Sequence, residues 1–530
     1  MSYIVPLNHS MKTLLLAITS LISLNYYSQA PTIQWQKGMA GSQQDVTNET
    51  IVTTDGGYIS IGDAYSTDLD FAVSHGNGDG WVTKYDVNGI TQWSRILGGS
   101  SLDNLLSITQ TSDGGYIVVG RIYSNDGDVS GFHTHINTTD GWVVKLNSSG
   151  VIQWQKCLGG TGSDLCRSVL ATANGGCIIA GSTTSLDGDV ATNHGTGNTS
   201  DYWVVNLDAN GTIIWEKIYG GINEDQTFSI SKTSDGGYAV AGMAMSSDGD
   251  VTIHNGPSFA FNCWIIKINA TGVLQWNTSF LLSSYTAPSC IKETTDHGFI
   301  ISGRSGMAGS LSTFDALVIK LDSTGTLQWY KSLGGSLQDD FYSVIELSNS
   351  EYLLAGTTGS SNGDITNYLG GMSDCWLMKI DATGNIIWQK TYGGSGDDGL
   401  SNIQKTNDNS YIASGFSGSI DNNVTTNLNT SSYNPWIVKF NPLSIGVQEN
   451  QLTNTIISIY PNPTNDILHI NTSTGLNNES YSIINTLGQT ILNGKIENKR
   501  SIIDVQSLPA GIYFLQIGSK QTQSYKIIKN

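Results

Sequence analysis

All thirteen tryptophans of this chain stand on one repeating lattice. They fall at Trp35, Trp81, Trp93, Trp142, Trp154, Trp203, Trp215, Trp264, Trp276, Trp329, Trp376, Trp388 and Trp436. Five pairs (81/93, 142/154, 203/215, 264/276 and 376/388) share a separation of twelve residues, and Leu317 stands twelve before Trp329. Trp35 and Trp436 are unpaired ends. A residue this large and rare does not recur in register by chance, and self-similarity at such a period means an array or a closed ring of units. A residue present in every unit is architecture before it is function.

The glycines preceding the second tryptophans are Gly89, Gly150, Gly211, Gly272, Gly325 and Gly384, at spacings of 61, 61, 61, 53 and 59. Each unit holds four strand candidates bounded by turn residues. The stretch from Leu106 to Thr111 leads through Asp113-Gly114-Gly115 into Tyr116–Ile122. Asp-Gly predicts a two-residue hairpin turn with both central residues at positive φ. Asn147-Ser-Ser-Gly150, with Asp322–Gly325 and Asp381–Gly384, marks a second hairpin. Ile117-Val118-Val119 is an apolar run, as in strands covered on both faces. Ile152 and Trp154 alternate with Gln153 and Gln155, as in a half-exposed outer strand. Helical periodicity is absent over any ten residues. Four-stranded antiparallel units repeated radially make an all-β propeller.

The set of Gly-Gly, Asp-Gly-Gly and Trp-Lys signals occurs seven times between Ile33 and Asn441. The lone Trp35 strand at one end and the lone Trp436 strand at the other are two halves of one hairpin. Pairing them closes the ring and removes two open edges, which predicts a seven-bladed β-propeller over residues 31–446. The segments "YIVVG", "WVVKL" and "IQWQK" resemble the second, third and fourth strands of kelch-type bacterial repeats. That resemblance speaks for the fold and not for an activity.

Residues 1–30 read as a secretory leader whose start is Met11. Lys12 is the charged end, Thr13–Leu24 is too short an apolar run to span a bilayer, and Ser28 and Ala30 suit a cleavage site. Later stretches are not apolar enough to make an integral membrane protein. From about residue 447 tryptophan vanishes and prolines cluster, after a linker at about 442–455. Tyr460-Pro461-Asn462-Pro463, Leu487-Gly488-Gln489, Leu508-Pro509-Ala510-Gly511-Ile512-Tyr513-Phe514 and the terminal Lys526–Asn530 then follow in order. This segment resembles the C-terminal sorting domain of the type IX secretion system of the Bacteroidetes. The resemblance implies that residues 447–530 are such a domain. It implies handling by that machinery, with Tyr460, Pro461, Asn462, Pro463, Leu487, Gly488, Gln489, Gly511, Tyr513 and Lys526 as its motif positions. It also implies delivery into the medium or to the outer-membrane surface. Read without the family, the segment is a small Ig-like β-sandwich of about seven strands.

The net charge is −19, and the tail contributes almost none of it, with six basic and five acidic residues. So acidic a chain repels nucleic acid and anionic membrane and is compatible with neutral glycans, cations or basic partners, so a glycan or a surface protein is the expected partner. Cys157, Cys166, Cys177, Cys263, Cys290 and Cys375 lie off the lattice and in no metal-type spacing. A disulfide among the first three and buried free thiols remain equal alternatives.

Three sets of residues bear on function. Ser-x-Asp-Gly-Asp recurs at Ser124–Val129, Ser185–Val190 and Ser246–Val251, with a variant at Ser360–Ile365. Its carboxylates, Asp126, Asp128, Asp187, Asp189, Asp248, Asp250 and Asp364, are candidate calcium ligands, since paired carboxylates around a glycine turn can supply hard oxygens. Capped turns, with the side chains bonding nearby amides, account for the same residues. His75, His133, His135, His194 and His254 lie in the same long connection, as metal-ligand types or as repeat-consensus loop residues. Asp45, Asp103, Asp164, Asp225, Asp339 and Asp398 follow Gly-Gly, where a carboxylate can bind a cation or lock one blade to the next through backbone amides. All three sets are expected on one face. The unit 273–325 departs most from the pattern. No nucleophile elbow, phosphate loop or zinc-helix motif occurs, and no catalytic group breaks the repeat. These residues predict a secreted or cell-surface binding protein. The alternative is an extracellular carbohydrate-active enzyme of endoglucanase type, with acids among the loop aspartates.

Overall fold

The computed structural model describes residues 27–133, 138–195, 197–257, 260–307, 314–426, 432–443, 445–446, 457–472, 479–486, 488–496, 498, 500–517 and 523–530. The leader through residue 26, His135, Leu487 and most of the linker fall outside them. The chain divides into a unit at Ser28–Ser444 and a second that contains Ile445–Asn530.

The larger unit holds seven four-stranded antiparallel sheets. Six use four consecutive strands. The other combines Asp398–Lys405, Tyr411–Ser417 and Asn434–Phe440 with Ile33–Gly38 from the start of the chain, Ile33 facing Phe440 and Gly38 facing Trp436. The first strands of the sheets are Asp45–Val52, Asp103–Gln110, Asp164–Ala171, Asp225–Lys232, Tyr285–Glu293, Asp339–Glu346 and Asp398–Lys405. Each touches the next and the last touches the first, so they line the centre of a closed propeller. Second and third strands such as Cys177–Thr183 and Asp140–Leu146 are buried throughout. The fourth strand Ile152–Leu158 alternates, with Gln153 exposed and Trp154 half-buried.

The tryptophan lattice has two mechanical parts. Third-strand tryptophans are fully buried, and the Nε1 of most donates to the fourth strand of the same blade: Trp142 to Gln155 Oε1 at 2.9 Å, Trp376 to Gln389 Oε1 at 3.0 Å, and Trp436 to Gln36 Oε1 at 2.9 Å across the closure, whereas Trp81 Nε1 donates to Val46 O of its blade's first strand at 3.1 Å. Fourth-strand tryptophans reach the next blade. Trp93 Nε1 donates to Ser148 O at 3.1 Å, and its ring covers Gly150, where a Cβ would come within 2.6 Å of it. Gly150 also has φ +76°, so two requirements fix this glycine.

The Asp-Gly-Gly hairpin differs from the two-residue turn expected. Gly114 N donates to Thr111 O and Thr111 N to Gly115 O, so three residues form the loop. Only Gly114 takes positive φ, at +80°. The Asp113 carboxylate accepts Gly115 N at 2.9 Å and the Thr111 hydroxyl at 2.6 Å, and so closes a type I turn followed by a glycine bulge. All six cysteines are buried free thiols.

In the C-terminal unit, Ile457–Tyr460, Ile467–Thr472 and Arg500–Asp504 form one sheet, and Thr490–Ile496, Glu479–Asn485, Gly511–Ile517 and Gln523–Lys529 another. They pack over Leu468, Ile483, Leu515 and Ile527. The motif residues hold this small core's edges. Asn462 Nδ2 donates to Lys526 O and Asn462 Oδ1 accepts Ile528 N, both at 2.8 Å, which ties the Tyr460–Pro463 segment to the last strand. Gly488 sits at φ +79° in the turn where Gln489 N meets Asn485 Oδ1, and the Tyr513 hydroxyl donates to Pro509 O.

Candidate functional site

The strand register places the long connections and the blade-to-blade crossings on one face, because Asp103 faces Ile122 and Ile122 faces Asp140. The aspartates after Gly-Gly are completely buried there. Asp103 Oδ1 accepts Tyr123 N at 3.0 Å and Ser124 N at 3.2 Å, while its Oδ2 accepts Gly99 N at 2.7 Å. The crossing from one blade is thereby pinned to the second strand of the next. Asp45, Asp164, Asp225, Asp339 and Asp398 repeat this lock, with Ser66, Ser185, Ser246, Ser360 and Ser419 among their partners.

The Ser-x-Asp-Gly-Asp loops clasp the same crossing from outside. Ser100 N donates to Asp126 Oδ1 at 2.7 Å, Ser101 N to Ser124 Oγ at 2.9 Å, and Gly98 N to Asp128 Oδ2 at 3.3 Å. Asp187 and Asp189, Asp248 and Asp250, and Asp364 with Asn362, take the corresponding amides. Asp421 does so in the blade completed by the N-terminal strand, a variant outside the sequence pattern. Each candidate calcium ligand thus carries a backbone amide. Among the described residues no group of three or more His, Cys, Asp or Glu side chains is arranged to hold a metal ion.

The loop histidines lead to a column of acids that sequence reading missed. His133 Nδ1 lies 2.8 Å from Asp140 Oδ2, and His194 Nδ1 lies 3.0 Å from Asp201 Oδ2. His75 N donates to Asp79 Oδ2, whereas His254 meets Ala260 O and Asn262. Asp79, Asp140, Asp201 and Asp374 open third strands, are fully buried, and each keeps an Oδ1 without a hydrogen-bond partner. That oxygen turns toward the aspartate of the next crossing. A Cβ on Gly220 would lie 2.4 Å from Asp201 Oδ1 and 2.8 Å from Asp225 Oδ2. Desolvation raises Asp201 to about 6 and Asp225 and Asp374 to about 7. At the junction after Asn262 the partner is Thr286, so both members are neutral. The signal was present as the column Asp79, Asp140, Asp201, Asn262, Asp315, Asp374 and Asn434.

The ring's centre holds the largest departure from symmetry. Every first strand carries a β-bulge three residues after its start, or four in Tyr285–Glu293, and the extra residues are Asn48, Leu106, Arg167, Phe228, Ser289, Tyr342 and Ser401. All seven line one cavity of about 660 Å³. A bulge re-aims a side chain out of the sheet, here into the channel. Below the bulges, Ser107, Ser168, Ser229 and Ser343 each accept an amide of the next first strand, for example Val169 N to Ser107 Oγ at 3.2 Å. Glu49 replaces serine once and takes both Ser107 Oγ and Ile108 N at 2.9 Å. Arg167 stacks over the Phe228 ring at 4.8 Å, and Arg304 faces Asp340 at 3.6 Å.

Residues 458–530 match the secretion system C-terminal sorting domain family. The chain is cargo of the type IX secretion system. As cargo it is delivered to the cell surface or the extracellular space. No helix among the described residues is long and apolar enough to cross a membrane. The chain is similar to the Regulatory protein FlaEY of Caulobacter vibrioides, at 23% identity over 367 residues, covering 68% of this chain and 35% of that protein. The chain therefore spans about a third of that relative's length. Solved structures that resemble it include the Neurospora crassa Pan2 WD40 domain (10% identity, 63% of this chain and 88% of that one, TM-score 0.36). Sqt1 from Chaetomium thermophilum is another (9% identity, 73% and 83%, TM-score 0.39).

The cargo's loop aspartates and its junction carboxylates differ in accessibility but share one trait: each is already bound within the scaffold or sealed in it. Glycoside hydrolysis needs an acid and a base that reach substrate. Neither set provides them, so the hydrolase alternative draws no support from these residues. The bulge column, by contrast, is open to the cavity and varies among the blades, with serine in two of them. It was readable as the position three after each crossing aspartate, but sequence alone does not say that this position leaves the sheet.

Proposed function

We propose that this protein is a secreted or cell-surface propeller that binds a partner in its central cavity, without turning it over. One observation carries the reading. A scaffold that repeats its tryptophans, hairpins and crossing locks places seven residues of six different types around a single cavity. Polar and aromatic groups converging in a preformed concavity of this size are the usual make-up of a ligand site. Residues 1–30 serve as the leader for the first export step, and the motif positions from Tyr460 to Lys526 engage the type IX machinery for the second. The kelch-like strand pattern and a bacteroidete source belong to the same reading.

The test is a glycan and polysaccharide array probed with the exported chain and with Tyr342→Ala and Phe228→Ala, assaying released reducing sugar in parallel. Saturable binding without release, weakened by either substitution, is the expected result. Chelating calcium leaves it unchanged, since the Ser-x-Asp-Gly-Asp loops are closed by amides. Released sugar would restore the hydrolase, and binding indifferent to both substitutions would move the site to the outer loops or to a surface-protein partner.

A further inference from the structure

The charge of the central cavity is opposite to that of the chain. The protein carries −19 overall, yet Arg167, Lys292, Arg304 and Lys405 line the cavity against Glu49, the single carboxylate among its described lining residues. Two of these groups are already occupied. Arg304 faces Asp340 across a blade junction, and Glu49 is held by Ser107 and Ile108. Lys292 lies near enough to Glu49 to favour its ionised form, against the burial that pushes the carboxyl up.

Arg167 is different. Its bulge lifts it out of the ladder, one face of its guanidinium rests on Phe228, and among the described residues it has neither a hydrogen-bond acceptor nor a carboxylate partner. Burial, with Arg121 and Arg304 nearby, presses its pKa down. A half-buried guanidinium without a counter-charge is an unfavourable arrangement on its own. It becomes a favourable one when an anion enters, because its planar fork matches carboxylate and sulfate oxygens, and stacking has already fixed its orientation. Ser289, Phe228 and Tyr342, whose hydroxyl donates to Asp340 Oδ2 at 3.4 Å, line the same cavity, and these groups suit a ligand rich in hydroxyls with one acidic group.

We propose that the cavity binds an acidic sugar, a carboxylated or sulfated residue of a glycan, with Arg167 as the anchor for its anion and Lys292 and Lys405 supplying the surrounding positive field. The proposal rests on the cavity being the binding site. It adds the chemistry of the ligand.

Calorimetric titration of the full exported chain tests it, with a galacturonate trisaccharide, a sulfated galactose trisaccharide, the neutral galactose trisaccharide and a short polyglutamate peptide as probes. The expected result is binding of one or both acidic sugars and not of the neutral one. The galacturonate and sulfate arms then say which acid is read. Affinity falls as the Debye length shrinks from about 10 Å at 0.1 M to about 3 Å at 1 M salt. Arg167→Gln weakens binding about tenfold or more, and Arg167→Lys restores part of it, because charge survives without the fork. A denaturation curve on each variant shows that the fold is intact.

Equal binding of the neutral trisaccharide, equal binding by Arg167→Gln, tighter binding of polyglutamate, or no binding of either acidic sugar would each overturn the proposal. The array experiment separates this failure from that of the broader reading. Binding that depends on Tyr342 and Phe228 but ignores Arg167 and salt leaves the cavity as the site and removes only the anion.

Discussion

Both faces of the propeller give most blades an aspartate, and the two faces treat it in opposite ways. On the hairpin face the aspartate of the first hairpin turn, Asp-Gly-Gly in three blades, meets a buried lysine from the third strand: Lys84 with Asp55, Lys145 with Asp113, Lys267 with Asp235, Lys320 with Asp296 and Lys439 with Asp408, at 2.7 to 2.9 Å. The Lys267 ammonium and the Thr233 hydroxyl bring Asp235 down to about 2, and the Thr111 hydroxyl with Lys145 does the same for Asp113. On the loop face the third-strand aspartate meets a second aspartate, and desolvation drives the pair up. One face is built from opposite charges, the other from acids that share too little solvent to ionise together. The difference teaches that the hairpins are held by electrostatics fully present at neutral pH, whereas the crossings are held by amides and carry a carboxylate pair as a liability.

Breaking the hairpin side has the largest effect. The Lys145 side chain is 4% exposed and its carboxylate partner 55%. Removing one member of a buried pair costs about 3–5 kcal/mol, and the exposure of Asp113 lets water take over part of that, leaving about 1–3 kcal/mol for Asp113→Asn. The double variant Asp113→Asn with Lys145→Met should recover most of the loss, since no charge is then stranded. Urea denaturation of the three chains measures this, and an Asp113→Asn protein as stable as the parent would show that the pair is idle.

A pH series sharpens the comparison without mutation. Asp201, Asp225 and Asp374 on the loop face have folded pKa values raised above the ordinary 3.8, so their contribution is full below about 4 and is lost as pH rises through about 6 to 7. The hairpin acids are lowered, so theirs is full above about 4 and is lost as pH falls toward about 2. Stability should therefore peak at about pH 4 to 5 and decline through neutrality, helped by growing self-repulsion of an acidic chain. A flat profile from about pH 5 to 8 in thermal melts would mean that the loop-face pairs do not titrate there.

Much of the scaffold was legible because architecture repeats. Trp93 and Gly150 recur in register since each pair joins one blade to the next, and the end strands at Trp35 and Trp436 announced their pairing by lacking partners. The crossing locks at Asp103 and its equivalents were legible as turn chemistry. The hairpin of Asp113-Gly114-Gly115 was misread in its turn type, because the side-chain bonds that favour a three-residue loop are not visible in the dipeptide. Arg167 escaped notice for the opposite reason. It sits at a position that varies among the blades, with only serine found twice, so it belongs to no recurring column, and only the bulge in the ladder shows where it goes.

Relieving the loop side should be a milder and opposite change. Asp201→Asn removes one carboxylate while keeping an oxygen for His194 N, as Asn262 Oδ1 already accepts Asn255 N at 2.9 Å one junction on. With a pKa unit equivalent to about 1.4 kcal/mol, the gain at pH 8 is on the order of 1 kcal/mol and fades as pH falls to about 5, where Asp201 and Asp225 take up protons in the parent. A gain that persists undiminished at the lower pH would point to packing and not to charge.

The smallest effect comes from the blade that dispensed with the hairpin pair. Its lysine position is Asn206 and its aspartate position Asn174, neutral on both sides, and the turn survives because Asn174 Oδ1 accepts the Thr172 hydroxyl at 2.6 Å and Gly176 N at 3.2 Å. The Asn206 Oδ1 remains buried without a partner. Installing the pair with Asn174→Asp and Asn206→Lys should stabilise by about 0.5–1 kcal/mol, while Asn206→Lys alone should destabilise, because it buries an ammonium opposite an amide. The double-mutant cycle isolates the coupling from the propensity of each residue. A coupling near zero would mean that the five lysine–aspartate pairs, and Lys379 with Glu351 in a sixth blade, persist as inherited pattern and that the turn's own hydrogen bonds hold the hairpin face. A coupling close to that of Asp113 and Lys145 would make the charge pair, and not the Asp-Gly-Gly turn, the feature that separates the two faces.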